Sequence, residues 1–144
     1  LKAYDDLSTF KLYALDVGLL RQLSELDASV LLLSTPGYME YKGALAENYV
    51  LQSLTAQFQA SFRYWTSGNK AEVDFLLQYD NHIYPIEVKA DQSITGKSLV
   101  QYEKLFQPAC RIRYSILNLK QDGNLINIPL FLADKTKELL KDKS

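Results

Sequence analysis

Three carboxylates and one lysine carry the chemistry open to this sequence. Asp74 lies in the run Ala71-Glu72-Val73-Asp74-Phe75-Leu76-Leu77, and Glu87 and Lys89 lie in Ile86-Glu87-Val88-Lys89. Apolar and polar residues alternate in both runs, so each is expected to be a strand. Val73, Phe75 and Leu77 are expected on one face of the first, with Asp74, Glu72 and Leu76 on the other. Glu87 and Lys89 share a face of the second, about 7 Å apart along the strand. Pairing through the Asp80-Asn81 turn can set Asp74 beside Glu87, although the residues alone leave the register open. Two converging carboxylates repel unless positive charge lies between them. A divalent cation supplies it, and Mg²⁺ prefers oxygen ligands while keeping several waters. A lysine beside such an ion can orient or help deprotonate an attacking water, or stabilise charge developing on phosphorus.

A third acid comes from the longest helix expected, Met39 to Phe58. Glu47 is followed by Val50, Leu51, Leu54 and Phe58 at i+3, i+4, i+7 and i+11, an apolar stripe that turns Glu47 toward the sheet. A carboxylate buried alone there is costly, so a metal or basic partner is expected. Each residue alone has an ordinary reading. A Glu-x-Lys pair or an alternating Asp usually marks the wet face of a sheet, and a Glu on a stripe usually borders the core. Their combination, in the order one metal site needs, is what points to chemistry.

The remaining elements follow from the same patterns. Asp16 is expected to cap a short helix carrying Leu19, Leu20 and Leu23, and Asp27 a second one containing Val30 to Leu33. Ser34-Thr35-Pro36-Gly37 reads as a break. Strands are expected at Phe62–Trp65, Glu72–Tyr79, Ile83–Lys89 and Ile112–Leu117, with a fifth at Leu125–Leu132. Pro85 is placed near a strand start or a bulge. A helix is expected at Ser98–Phe106 and another in the basic end from Lys135 to Ser144. The central order is therefore helix, three strands, helix, strand. The first three strands can form an antiparallel meander, and the fourth returns by a parallel crossover.

Composition narrows the classes. The 144 residues, 47% apolar and 23% charged, suit one folded domain. One Cys excludes a disulfide framework, and one His excludes a multi-histidine metal cluster. Basic and acidic residues number 16 and 17, so net charge does not draw the chain to nucleic acid or membrane. No apolar run approaches the ~20 residues of a membrane span, and no signal peptide is visible. A cytoplasmic location is expected. The chain begins at Leu1 rather than Met and is read as a piece of a longer protein.

With the order of elements, Asp74, the Glu87-Val88-Lys89 element 13 residues downstream and Glu47 together, the chain resembles the PD-(D/E)XK, or restriction-endonuclease-like, nuclease superfamily. Val73 stands where the name-giving Pro would be. A nearer resemblance is to an uncharacterised domain at the C-terminus of many prokaryotic AAA-type ATPases. It is carried by Lys11 to Leu19, Gly43 to Val50, Tyr64-Trp65-Thr66, Glu72 to Phe75 and Pro85 to Lys89. The resemblance implies a nuclease-like α/β domain over 39–144, with 1–38 an N-terminal helical extension and an ATPase module of the same polypeptide upstream. It further implies Mg²⁺ or Mn²⁺ on Glu47, Asp74, Glu87 and the carbonyl of Val88, with Lys89 assisting water in hydrolysis of DNA. The alternative is a catalytically silent module of the same fold that binds DNA or a partner and regulates the ATPase.

Other features are secondary. Thr95-Gly96-Lys97-Ser98 imitates the end of a P-loop, but Asp91 replaces the first glycine, so no nucleotide is expected to bind this chain. From Lys89 to Lys120 there are six basic residues against two acidic ones, whereas residues 1–60 hold four basic and seven acidic. A basic side next to the metal site suits a phosphate backbone, with Lys97, Lys104 and Gln101 as the expected contacts. Cys110 and Trp65 are expected to be packed, and His82 solvated.

Overall fold

The computed structural model describes residues 6, 8–25, 27, 29, 36–68, 70–91 and 95–141. The expected helix over Val30 to Leu33 lies outside them. The elements run α1 (Val17–Leu23), α2 (Pro36–Phe58), β1 (Arg63–Thr66), β2 (Glu72–Tyr79), β3 (His82–Val88), α3 (Lys97–Phe106), β4 (Arg111–Ser115), β5 (Lys120–Asp122) and β6 (Leu125–Pro129). A 3-10 helix, Leu130–Lys135, and α4 (Thr136–Lys141) follow. One mixed six-stranded sheet has the order β1-β2-β3-β4-β6-β5. β1 to β3 form the antiparallel meander, and β3 pairs parallel to β4 through the α3 crossover. No described helix is long and apolar enough to cross a membrane.

The meander turns as its sequence demands. Asp80 and Asn81 both take positive φ, at 50° and 61°, as the two central residues of a tight hairpin do. Pro85 sits inside β3 opposite Leu76, not at a strand start. Pro36 and Gly37 fall in the first turn of α2, so the expected break is a helix start there; a proline in that turn gives up an N–H with no intrahelical acceptor. Gly96 holds the N-cap position of α3 without a side-chain hydrogen bond, and the Ser98 hydroxyl instead accepts from the Glu72 N–H at 3.4 Å.

Two apolar layers sandwich the sheet. Val50 and Leu54 of α2, both fully buried, cover Phe75, Leu77, Ile86 and Val88. Leu99 and Tyr102 of α3 cover Val73 and Leu76 on the other side. This corrects the expectation that Val73 shares a face with Phe75. Across β1–β2 the register moves from Arg63↔Leu76 to Trp65↔Val73, two residues on β1 against three on β2. The resulting bulge in β2, at Asp74 and Phe75, breaks the alternation and re-aims the side chains around it.

Two further differences lie at the C-terminal end. β6 stops at Pro129 and the chain turns into the 3-10 helix, where a strand to Leu132 is expected from sequence. β5 is wholly exposed and polar, so no periodicity announces it; it forms because Gly123, φ 56°, turns the chain back onto β6. The end is pinned by Tyr114, fully buried, whose hydroxyl lies 2.6 Å from that of Thr136. Thr136 spends its own proton on the Ala133 carbonyl at 2.8 Å, so Tyr114 is the donor. Tyr114→Phe is expected to cost about 1 kcal/mol in urea denaturation, since it leaves the buried Thr136 acceptor short of a bond.

Candidate active site

Asp74 and Glu87 flank the end of the β2–β3 ladder. The last paired residues there are Phe75 and Ile86. Beyond them the Val88 N–H donates to Asp74 Oδ2 at 2.7 Å, so a side chain takes the place of a β2 carbonyl. The bulge makes that substitution possible.

Burial, and next the negative field of Glu47, push the Asp74 carboxyl up to about 7. The Val88 N–H and Lys11 oppose the rise, and Glu87 adds to it. Glu47, on the face of α2 turned to the sheet as the stripe predicts, accepts a hydrogen bond from Tyr13 Oη at 3.1 Å. Burial and Glu47 together push the Tyr13 phenol far up, which keeps it a proton donor.

Ile86 and Val88 face α2, so alternation turns Glu87 to the opposite side of β3. Glu87 is 2% exposed. Its Oε1 lies 3.2 Å from Lys89 Nζ, whereas its Oε2 is buried with no hydrogen-bond partner among the described residues. Lys89 stands one residue past β3 and is half-buried, its backbone N–H held by the Tyr114 carbonyl at 2.8 Å. The ammonium thus bridges the buried Glu87 and solvent.

These donors suit a hard divalent cation. All are oxygens, and Glu87 Oε2 is a buried carboxyl oxygen without a hydrogen-bond partner among the described residues, which is costly unless positive charge reaches it. Among the described residues no three His, Cys, Asp or Glu side chains form a ready-made cage.

Sequence reasoning missed the contribution of the N-terminal segment. Lys11 pairs with Glu72 and lies 5.3 Å from the ring centroid of Tyr64. Burial would lower the Lys11 ammonium, but the Glu72 hydrogen bond and the fields of Glu47, Glu72 and Asp74 outweigh it and raise it. Tyr13 packs its ring 5.6 Å from Phe75. The available signal was a period of two: Lys11 and Tyr13 turn inward, while Leu12 between them is 86% exposed.

The expected phosphate contacts share another place. Lys97, Lys104 and Gln101 of α3 line a cleft of about 640 Å³ with Arg111 and Arg113 of β4. Arg111 is fixed by Glu103 at 2.8 Å and by two bonds to Asn124 Oδ1 at 2.7 and 3.1 Å. Arg113 stands opposite Glu87 in the parallel β3–β4 ladder, so the basic cleft adjoins the buried carboxylate. Gln101 donates to Ser67 Oγ at 3.1 Å, which ties α3 to the end of β1.

A family model described as "Domain of unknown function (DUF4143)" matches residues 42–131. The chain belongs to this family. No curated protein and no solved structure matches the chain. The DUF4143 span contains Glu47, Asp74, Glu87 and Lys89, the α3 cleft and the whole sheet.

Proposed function

We propose that this DUF4143 domain is a nuclease-like domain of the PD-(D/E)XK kind that hydrolyses phosphodiester bonds of DNA with Mg²⁺ or Mn²⁺. The observation that carries the reading is Glu87: a buried carboxylate with one oxygen on Lys89, the other without a partner among the described residues, and a second acid at the same ladder end. Asp74, Glu87 and the Val88 carbonyl would hold the ion, with Glu47 engaging it through water. When bound, the ion supplies charge neutralisation for phosphorus and acidifies water.

The chain's own residues do the rest. Asp74 is oriented by the Val88 N–H, which fixes the carboxylate against the end of β3. Lys89 holds its ammonium where water and a phosphate oxygen enter, and there it orients the water or stabilises the pentavalent phosphorus. Lys97, Lys104 and Gln101 would seat the backbone in the adjoining cleft. In the longer polypeptide an ATPase module would precede this domain in the cytoplasm.

The second reading is a silent module that docks DNA or a partner and regulates that ATPase. The internal pairs Lys11–Glu72 and Lys89–Glu87 favour it, because they neutralise acids without a metal. Cleavage of plasmid, linear and branched DNA with Mn²⁺ and Mg²⁺ separates the two. Cutting that disappears both in EDTA and in Lys89→Ala is the expected result. A chain that neither cuts nor gains thermal stability from Mn²⁺ is the silent module.

A further inference from the structure

The stretch from Lys11 to Val17 lies across the acidic end of the sheet, and we propose that it is a displaceable cover that competes with a divalent cation for the same carboxylates. The inference rests on the metal-site reading above and names how that site is regulated. Tyr13 Oη occupies Glu47 Oε2, and Lys11 occupies Glu72 while interacting with Glu47 and Asp74. A cation entering between Glu47 and Asp74 meets the Lys11 ammonium as a like charge. The two therefore disfavour each other, and the coupling runs both ways.

The cover is held in a way that suits release. It adds no strand to the sheet. Its backbone is tied to α2 by side chains: the Ala14 N–H donates to Asn48 Oδ1 at 2.9 Å and the Val17 N–H to Gln52 Oε1 at 3.2 Å. The first anchor is incomplete among the described residues, where the buried Asn48 Nδ2 has no partner. Apolar grip comes from the Tyr13 ring against Phe75, while Leu12 and Leu15 are 86% and 85% exposed. Apart from the Tyr13 ring, lifting the segment therefore uncovers little apolar surface, and it frees bonds that water can replace, the signature of a region that opens locally.

The test is a Mn²⁺ titration followed by melting temperature in the wild-type chain, Lys11→Met and Tyr13→Phe. The Mn²⁺ concentration for a half-maximal shift is expected to fall about tenfold in Lys11→Met, the effect of removing one nearby unit charge at a partly solvated site. Tyr13→Phe, which keeps the ring on Phe75, is expected to lower it by a smaller factor and keeps the test alive if the first variant does not fold. Hydrogen exchange of residues 11–17 is expected to speed up in saturating Mg²⁺. A wild-type response with an unchanged or weaker one in both variants, or slower exchange with Mg²⁺, overturns the cover and leaves the metal site standing. No Mn²⁺ response in any of the three proteins overturns both.

Discussion

Lys89→Met is expected to end metal-dependent cutting and to destabilise the metal-free protein by about 3 kcal/mol. Both effects come from one contact. Glu87 is buried, and its charge is met by the Lys89 ammonium at 3.2 Å through one oxygen only. Methionine keeps the aliphatic stem and removes the charge, so the buried Glu87 carboxyl loses its cationic partner. Such a loss costs more than the pair contributes net, because the desolvation of Glu87 remains. Glu87→Gln added to Lys89→Met removes that charge as well. The double variant is therefore expected to recover most of the lost stability while remaining inactive. Urea denaturation in chelator reads the coupling through the double-mutant cycle. If Lys89→Met keeps wild-type stability, Lys89 does not hold Glu87, and the placement of the ammonium at the site fails with it.

The same pair shows what sequence could and could not supply. Alternation put Glu87 and Lys89 on one face of β3, and helical spacing turned Glu47 toward the sheet; both are local periodicities that a folded chain obeys. The meander and the crossover were legible for the same reason, through short turns and one long connection. The bulge at Asp74 was not. It exists because β1 and β2 fall out of register between Arg63 and Trp65, and pairing between distant residues leaves no mark in either strand alone. Lys11 and Tyr13 escaped for a related reason. Their motif contributed to the family resemblance, but their role depends on Asn48 and Gln52 more than thirty residues away. β5 has three exposed polar residues and only its turn to suggest it.

Charge is divided between two adjoining places. Glu47 of α2 and Glu72 and Asp74 of β2 gather with Lys11 at one end of the sheet, while Lys97, Lys104, Arg111 and Arg113 line the α3 cleft. Arg113, across the ladder from Glu87, is where the two meet. A polyanion drawn to the cleft would be repelled by an uncompensated acidic end. If the domain takes a phosphate backbone as proposed, neutralising that end, by a cation or by Lys11, reduces the repulsion the backbone meets there.

Asp74→Asn is expected to stabilise the metal-free protein at alkaline pH by up to about 4 kcal/mol. The sign follows from the direction of the shift. Folding raises the Asp74 carboxyl from the ordinary 3.8 to about 7, by burial first and by Glu47 second, so the folded chain favours the protonated form. That preference stabilises the wild type fully below about pH 4, where the unfolded chain is protonated as well. It is lost as pH rises, at about 1.4 kcal/mol per unit, until the folded carboxyl has ionised above about 7. Asparagine has no charge to lose, and its amide oxygen can still accept from the Val88 N–H that Asp74 Oδ2 now takes. The gap between the two proteins in chelator should therefore be near zero at pH 4, open through pH 5 and 6, and level off by pH 8. Urea melts at those four values measure it. A gap that does not change with pH means that Asp74 ionises as it would in water, and the desolvated ladder end that singles it out is then not where the chemistry lies. A gap that opens as described makes Asp74 an acid kept from its natural charge by burial and by Glu47, which is the condition a divalent cation would relieve.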